Sequence, residues 1–216
     1  PPRSTLFPYT TLFRSYLANL TEIATVAPEV SRAIVGELAD QRRCLKLIAS
    51  ENYCSLATQL AMGNLLTDKY AEGFAHARFY EGCENVDAVE AYACEQACTL
   101  FGAEHAYVQP HSGADANMIA YWAILTAKVE VPSLEAMGVK DPMKLSQDDW
   151  EKIRVALGGQ RLLGMDYYSG GHLTHGYRRN LSAKMFDAYN YAVNRETGLI
   201  DYDEIARRAT EIKPLI

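Results

Sequence analysis

The chain has 216 residues, about one and a half times a typical ~150-residue domain, and carries 21 Lys and Arg against 27 Asp and Glu, a formal charge of −6. That acidic balance argues against broad nucleic-acid binding, which rests on cations neutralising phosphates, and the ordinary apolar and charged fractions exclude a disordered, collagenous or low-complexity chain. No apolar run approaches the ~18 residues of a membrane span, the start lacks a secretory-signal pattern, and five irregularly spaced cysteines fit the reduced thiols of a cytoplasmic protein better than a disulfide framework.

Residues 1–15 read PPRSTLFPYTTLFRS, with a near-repeat (Ser4-Thr5-Leu6-Phe7 and Thr11-Leu12-Phe13-Arg14), three prolines, no acid, and neither a helical nor a strand period. The segment resembles the translation of a short-read sequencing adapter and is expected to be non-native. Residues 16–50 form an expected N-terminal arm and helix, and 51–216 an expected partial large domain. The end, Lys213-Pro214-Leu215-Ile216, reads as a strand just beginning, so both ends suggest a piece of a longer protein.

Pro28–Leu45 predicts a helix: proline suits the first turn, and Val30, Ile34, Val35 and Leu38 recur at helical spacing. Ser55–Leu66 and Val86–Phe101 predict two more, the latter stopped by Gly102. His105–Gln109 is a short strand candidate. Ser112-Gly113 then opens a helix to about Lys128, with Met118, Ile119, Trp122, Ile124 and Leu125 expected on its buried side. The charged stretch 129–160, holding Pro132 and Pro142, reads as a surface insertion with amphipathic pieces at Ser133–Met137 and Ser146–Leu157. Leu162–Met165 and Phe186–Val193 predict strands, and Asp201–Ile212 a helix with a capping box, Asp201 capping and Glu204 three residues on. Strands alternating with helices imply an α/β layer with a mainly parallel sheet.

Three segments could carry chemistry. His111-Ser112-Gly113-Ala114-Asp115-Ala116-Asn117 lies between a strand and a helix, where small residues and a helix N-terminus suit a phosphate; an ordinary turn is the alternative. In Tyr167-Tyr168-Ser169-Gly170-Gly171-His172-Leu173-Thr174-His175-Gly176, two glycines before a histidine permit close approach to a flat ligand. His172 and His175 have no third ligand at matching spacing, so no metal site is expected, and a metal hydrolase is a poor fit. Lys69-Tyr70-Ala71-Glu72-Gly73 and Arg78-Phe79-Tyr80-Glu81-Gly82 combine phenols, glycine and carboxylate in a way that suits proton transfer, though a solvated loop would read the same. Cys94 and Cys98, at i and i+4, read as core thiols.

In order, Leu47-Ile48-Ala49-Ser50-Glu51-Asn52-Tyr53, Lys69–Gly73, Val108-Gln109-Pro110-His111-Ser112-Gly113 with Asn117, Gly170–Gly176, and Glu196-Thr197-Gly198-Leu199-Ile200-Asp201-Tyr202 resemble serine hydroxymethyltransferase over about Val30–Ile216. The resemblance implies the N-terminal half of a pyridoxal-phosphate enzyme of fold type I, the aspartate-aminotransferase-like large domain, here truncated, with 129–160 marking a longer-form subgroup. It implies pyridoxal 5'-phosphate as cofactor, transfer of a one-carbon unit between serine and tetrahydrofolate with glycine as the other product, and a homodimer or tetramer.

It further implies that Ser50 lies near the bound amino acid, and that Tyr70 and Glu72 reach into the neighbouring subunit's site, Tyr70 towards the cofactor phosphate and Glu72 as acid/base near folate. Tyr80 would assist exchange of cofactor-linked intermediates, Ser112 and Gly113 would cradle the phosphate, His172 would stack on the cofactor ring, and Tyr167, Gly171 and Leu173 would contact folate. The departures are Phe79, which lacks a usual phenol, His76 for a usual glycine, Ala114 for a serine, and Tyr167 and Ser169. The family's Schiff-base lysine falls beyond Ile216, so the 216-residue piece alone is expected to be inactive. A threonine-aldolase-like enzyme and a non-catalytic dimerisation or binding module are the alternatives.

Overall fold

The computed structural model describes residues 6–216, with side chains from Arg14 onward. Residues 1–5 of the expected adapter-derived segment lie outside the described residues. The chain forms two compact units, one ending at Gln96 and the other running Ala97–Ile216.

In the first unit, α1 (Leu6–Val26) packs on α2 (Pro28–Arg43). The absence of a sequence period over 6–15 does not prevent a helix: Pro8 falls in the first turn, where its missing N–H has no intrahelical partner anyway. In α2, Pro28 sits in the first turn, Glu29 beside the positive end of the helix and Arg42 and Arg43 at its negative end. The expected apolar stripe is present but largely uncovered: Val30, Val35 and Leu38 are exposed and Ile34 is half-buried. Ser55 caps α3 (Leu56–Met62), its hydroxyl accepting the Thr58 N–H at 3.1 Å. A two-residue hairpin that the sequence does not announce follows, β1 (Gly73–Phe74) against β2 (Ala77–Arg78), then α4 (Glu84–Phe101).

The second unit is α/β. Ser112 caps α5 (Gly113–Leu125), which widens into a π-helical turn at Thr126–Glu130 and continues as α6 (Val131–Ala136); α7 (Gln147–Gly158) starts at its cap Ser146. Strand β3 (Arg161–Met165) pairs in parallel with β4 (Asp187–Tyr191), from Arg161 opposite Asp187 to Met165 opposite Tyr191, as the sequence predicts. Along the other edge of β3, the Leu215 N–H donates to the Arg161 carbonyl at 2.8 Å and the Leu163 N–H to that of Ile216 at 2.9 Å. α8 (Ser182–Met185) precedes β4, and α9 (Tyr202–Ile212) begins at Asp201, which accepts the Glu204 N–H at 3.0 Å. Only half of the expected capping box forms, because the Glu204 carboxylate is held by Arg207.

The core of this unit is Leu125, Val129, Leu162 and Phe186, with Tyr121 edge-on to Phe186 at 5.4 Å. Each such side chain contributes about 1.5–3 kcal/mol of burial. Three expectations change here. His105–Gln109 forms no ladder among the described residues, because β3 finds its partners at β4 and the chain's last residues. The apolar residues of α5 run around the helix rather than along one face: Leu125 enters the core, while Met118 and Trp122 are exposed beside Val131, Leu181 and Met185. The stretch 129–160 is not merely surface, since Val129, Leu134 and Ile153 are buried and Ala156 and Leu157 pack on the core. Its amphipathic pieces each turn an apolar face inward.

Candidate functional site

The motif residues fall into two groups, one in each unit. In the first unit they sit on and around the hairpin. The Gly73 φ of 110° and a close approach of the Ala77 carbonyl leave no room for a side chain at 73. The turn places His76 at φ 62°. The Tyr80 hydroxyl donates to the Glu72 carboxylate at 3.2 Å, and the Tyr70 and Tyr80 rings meet edge to face at 5.5 Å. That hydrogen bond to an anion holds the Tyr80 phenol above its ordinary pKa, since losing the proton would set two negative charges side by side. Tyr70, Glu72 and Tyr80 are therefore brought together, with both rings exposed. Ser50 is elsewhere in the unit, in a turn lining a cleft of about 410 Å³ with Glu37, Lys46 and Asn52.

Sequence reasoning left Arg78 without a role. Its side chain, 5 % exposed, donates to Asp87 at 2.8 Å and Glu90 at 2.7 Å on α4. It also donates to the carbonyls of Ala71 and Gly73, both at 2.9 Å. The guanidinium holds the Asp87 carboxyl below the ordinary carboxylate range, helped by the His76 N–H at 3.0 Å. The only signal in the sequence was a pair of acids at 9 and 12 residues' separation, which also describes any charged helix face.

In the second unit, α5 presents its N-terminus. Ser112 is extended at φ −151°, its hydroxyl oxygen accepting the Asp115 N–H at 3.0 Å, so its own O–H proton stays available. A Cβ at Gly113 would meet nothing within 4 Å, so the space around the first residue is open; the Asp115 N–H is taken by Ser112, which leaves those of Gly113 and Ala114 for an anion. The turn after β3 lies at the carboxyl end of a parallel strand, where α/β sheets bind ligands. Gly171 folds back to donate to the Asp166 carbonyl at 3.0 Å, and a Cβ there would collide with the Met165 carbonyl oxygen. This close approach explains the glycine.

His172 is exposed; its Nδ1 accepts the Thr174 N–H at 3.2 Å and meets the Thr174 hydroxyl at 2.7 Å. An Nδ1 that accepts a backbone N–H puts the neutral ring's proton on Nε2. Tyr167 and Leu173 are exposed too, Tyr167 stacked obliquely on Tyr177 at 5.2 Å. Met165, Asp166, Tyr167, His172 and Asn190 line one cleft of about 320 Å³.

The first turn of α5 and the histidine turn are neighbours. Tyr121 of α5 donates to the Thr174 carbonyl at 2.6 Å, and Ala114, Asp115, Asn117 and Thr174 line one cavity of about 110 Å³. The structure thus sets the first turn of α5 beside the turn that carries His172, whose exposed ring lines a separate cleft; helix N–H donors and an exposed ring suit an anionic group joined to a flat ring. No three His, Cys, Asp or Glu side chains cluster as metal ligands among the described residues.

Comparison with known proteins agrees with the motifs. The serine hydroxymethyltransferase family model matches residues 23–141 and 152–216. The chain is 58% identical over 204 residues to the serine hydroxymethyltransferase of Treponema pallidum (strain Nichols), covering 94% of this chain and 36% of that protein. Against the Salinispora tropica protein of the same name the identity is 56% over 202 residues, 94% of this chain and 42% of the relative. Against that of Chlamydia trachomatis serovar L2 it is 49% over 203 residues, 94% and 41%. The chain therefore spans about two fifths of the length of the curated relatives it matches. The residues outside the family match, 142–151, fall within the stretch read as an insertion. The chain belongs to the serine hydroxymethyltransferase family.

Proposed function

We propose that the full-length protein containing this chain interconverts serine and glycine, passing a one-carbon unit to or from tetrahydrofolate, with pyridoxal 5'-phosphate as cofactor. The observation that carries this reading is the placement of the α5 N-terminus beside the His172 turn, at the carboxyl end of a parallel strand, in a chain of this family. When bound, the cofactor supplies a sink for the electrons left at the substrate's Cα.

The chain's own residues do the rest. The Ser112 hydroxyl and the N–H groups around Gly113 would hold the phosphate, and the imidazole of His172, its Nδ1 engaged by Thr174, would meet the ring. Ser50 stands near the amino acid. Tyr167, Gly171 and Leu173 contact folate, Gly171 mainly through its backbone. At the hairpin the Glu72 carboxylate holds and moves the proton of the one-carbon hydroxyl, while Tyr80 donates its own hydroxyl proton to Glu72 Oε2 and so orients that carboxylate. Tyr70 reaches the cofactor phosphate of a neighbouring subunit; the exposure of Tyr70 and Tyr80 fits a site that a second copy completes, in a homodimer or tetramer. The five cysteines are free, which fits a reducing compartment, and we place the protein in the cytoplasm; among the described residues no helix is long and apolar enough to cross a membrane.

Serine cleavage by the full-length protein is expected to require tetrahydrofolate. Glu72→Gln is expected to lower folate-dependent turnover by about 10²–10⁴-fold while leaving the bound cofactor's absorbance in place. Cleavage indifferent to folate points to an aldolase and overturns the reading. Loss of the cofactor without a selective loss of transfer removes the role of Glu72.

A further inference from the structure

We propose that Arg78 is the positioning residue of Glu72: one buried guanidinium grips the backbone on both sides of Glu72, and two carboxylates of α4 hold the guanidinium. The proposal rests on the reading of Glu72 as the acid/base group of the reaction.

Nη1 of Arg78 bonds the carbonyls of Ala71 and Gly73, the residues before and after Glu72. Nε and Nη2 bond Asp87 and Glu90, which lie on one face of α4. The same two carboxylates take the backbone N–H groups of the turn, Asp87 that of His76 at 3.0 Å and Glu90 that of Ala75 at 3.4 Å. Glu72 is closed from the other strand as well, its carbonyl accepting the Phe79 N–H at 3.0 Å. The segment bearing Glu72 is thus fastened before it, after it and across from it, while its carboxylate is left to meet Tyr80.

A solvated surface pair would not need this geometry. The Arg78 side chain is 5 % exposed and that of Glu90 15 %, so the charges are kept out of water for a return. The planar fork of arginine is what serves two carbonyls and two carboxylates at once; a lysine ammonium keeps the charge and loses that directionality. The elevated titration of Tyr80, caused first by its hydrogen bond to Glu72 and to a minor degree by Tyr70, provides a reporter of where the Glu72 carboxylate stands.

The test uses full-length Arg78→Lys, with the triple variant Arg78→Met, Asp87→Asn, Glu90→Gln as companion, since the latter leaves no buried charge unpaired if the lysine variant does not fold. Tyr80 is followed by ¹³C NMR of labelled tyrosine, assigned by subtraction of Tyr80→Phe, and folding by circular dichroism. In a folded variant the Tyr80 titration is expected to fall to the ordinary phenol range. kcat for folate-dependent serine cleavage should drop by about 10²-fold, the scale of a misplacement of about 1 Å, with KM for serine little changed. A Tyr80 titration that stays where it is in the folded variant overturns the proposal, whatever the activity does. A titration that falls while the parent protein's serine cleavage ignores folate supports the clamp and removes the function assigned to Glu72, so the two failures are distinct.

Discussion

In the turn that follows β3, the backbone closes on itself. Gly171 lies against the carbonyl of Met165, Gly164 lets the backbone of His175 within reach, and among the described residues the turn holds no ion pair. The β1–β2 hairpin also needs one glycine, Gly73, but the rest of its hold is charge: Arg78 between Asp87 and Glu90, with carbonyls and N–H groups of the turn drawn onto the same three side chains. The first segment is fixed by volume and the second by electrostatics. Their sensitivities should differ accordingly, the turn after β3 to added atoms and the hairpin to protons.

The largest effect is expected where volume rules. Gly171→Ala sets a Cβ into a backbone carbonyl that no side-chain rotation can relieve, and it should cost at the upper end of the about 1–3 kcal/mol typical of overpacking. The loss should be the same at about 0.1 M and about 1 M salt, because a steric clash, unlike a charge, is not screened. Denaturant unfolding of the full-length protein at both salt concentrations measures it; a loss that changes with salt would mean that the turn depends on charge after all.

The second effect is small near neutrality and appears in acid. Asp87 has its pKa depressed, mainly by its hydrogen bond to Arg78. A depressed folded-state pKa means that the pair's stability is present above the ordinary carboxylate value and is lost as the pH falls through about 4 and below. The hairpin should therefore loosen before the turn after β3. Hydrogen-exchange protection of the His76 N–H, bonded to Asp87, should fall in acid ahead of that of the Gly171 N–H, bonded to the Asp166 carbonyl. Simultaneous loss would erase the distinction between the two regions.

The same contrast explains what was legible in the sequence. Helix starts are local, and Pro28, Ser112 and Asp201 marked theirs because a cap acts within about one turn. The paired strands were legible as a short apolar run, Leu162–Met165, and a run of aromatic and β-branched content, Phe186–Val193. The Gly170-Gly171-His172 run could be recognised because a close approach needs a glycine, but the sequence reads that approach as one to a flat ligand, whereas Gly171 lies against the chain's own Met165 carbonyl. Arg78 could not be singled out, for its partners depend on where α4 lies, and an arginine followed by acids looks alike buried or solvated. His105–Gln109 failed as a strand for the complementary reason, since a strand is defined by a neighbour that its own residues do not encode. Which face of α5 is covered was equally hidden, because an apolar residue on every side leaves no direction to read.

The smallest effect separates two bonds within the turn itself. The Nδ1 of His172 is met by both the N–H and the hydroxyl of Thr174. Thr174→Val keeps the shape of this buried residue and the N–H while deleting the hydroxyl. The cost should be about 0.5–1.5 kcal/mol, that of one hydrogen bond with a partner left in place. The imidazole tautomer should not change, because the remaining N–H can only donate and so keeps Nδ1 as the acceptor. ¹⁵N NMR of His172 decides the matter. A ring that stays protonated on Nε2 assigns the orientation of the histidine to backbone geometry, in keeping with a segment held by shape. A ring that shifts its proton to Nδ1 would instead give that role to the hydroxyl and bring the turn closer in kind to the hairpin, where side chains do the holding.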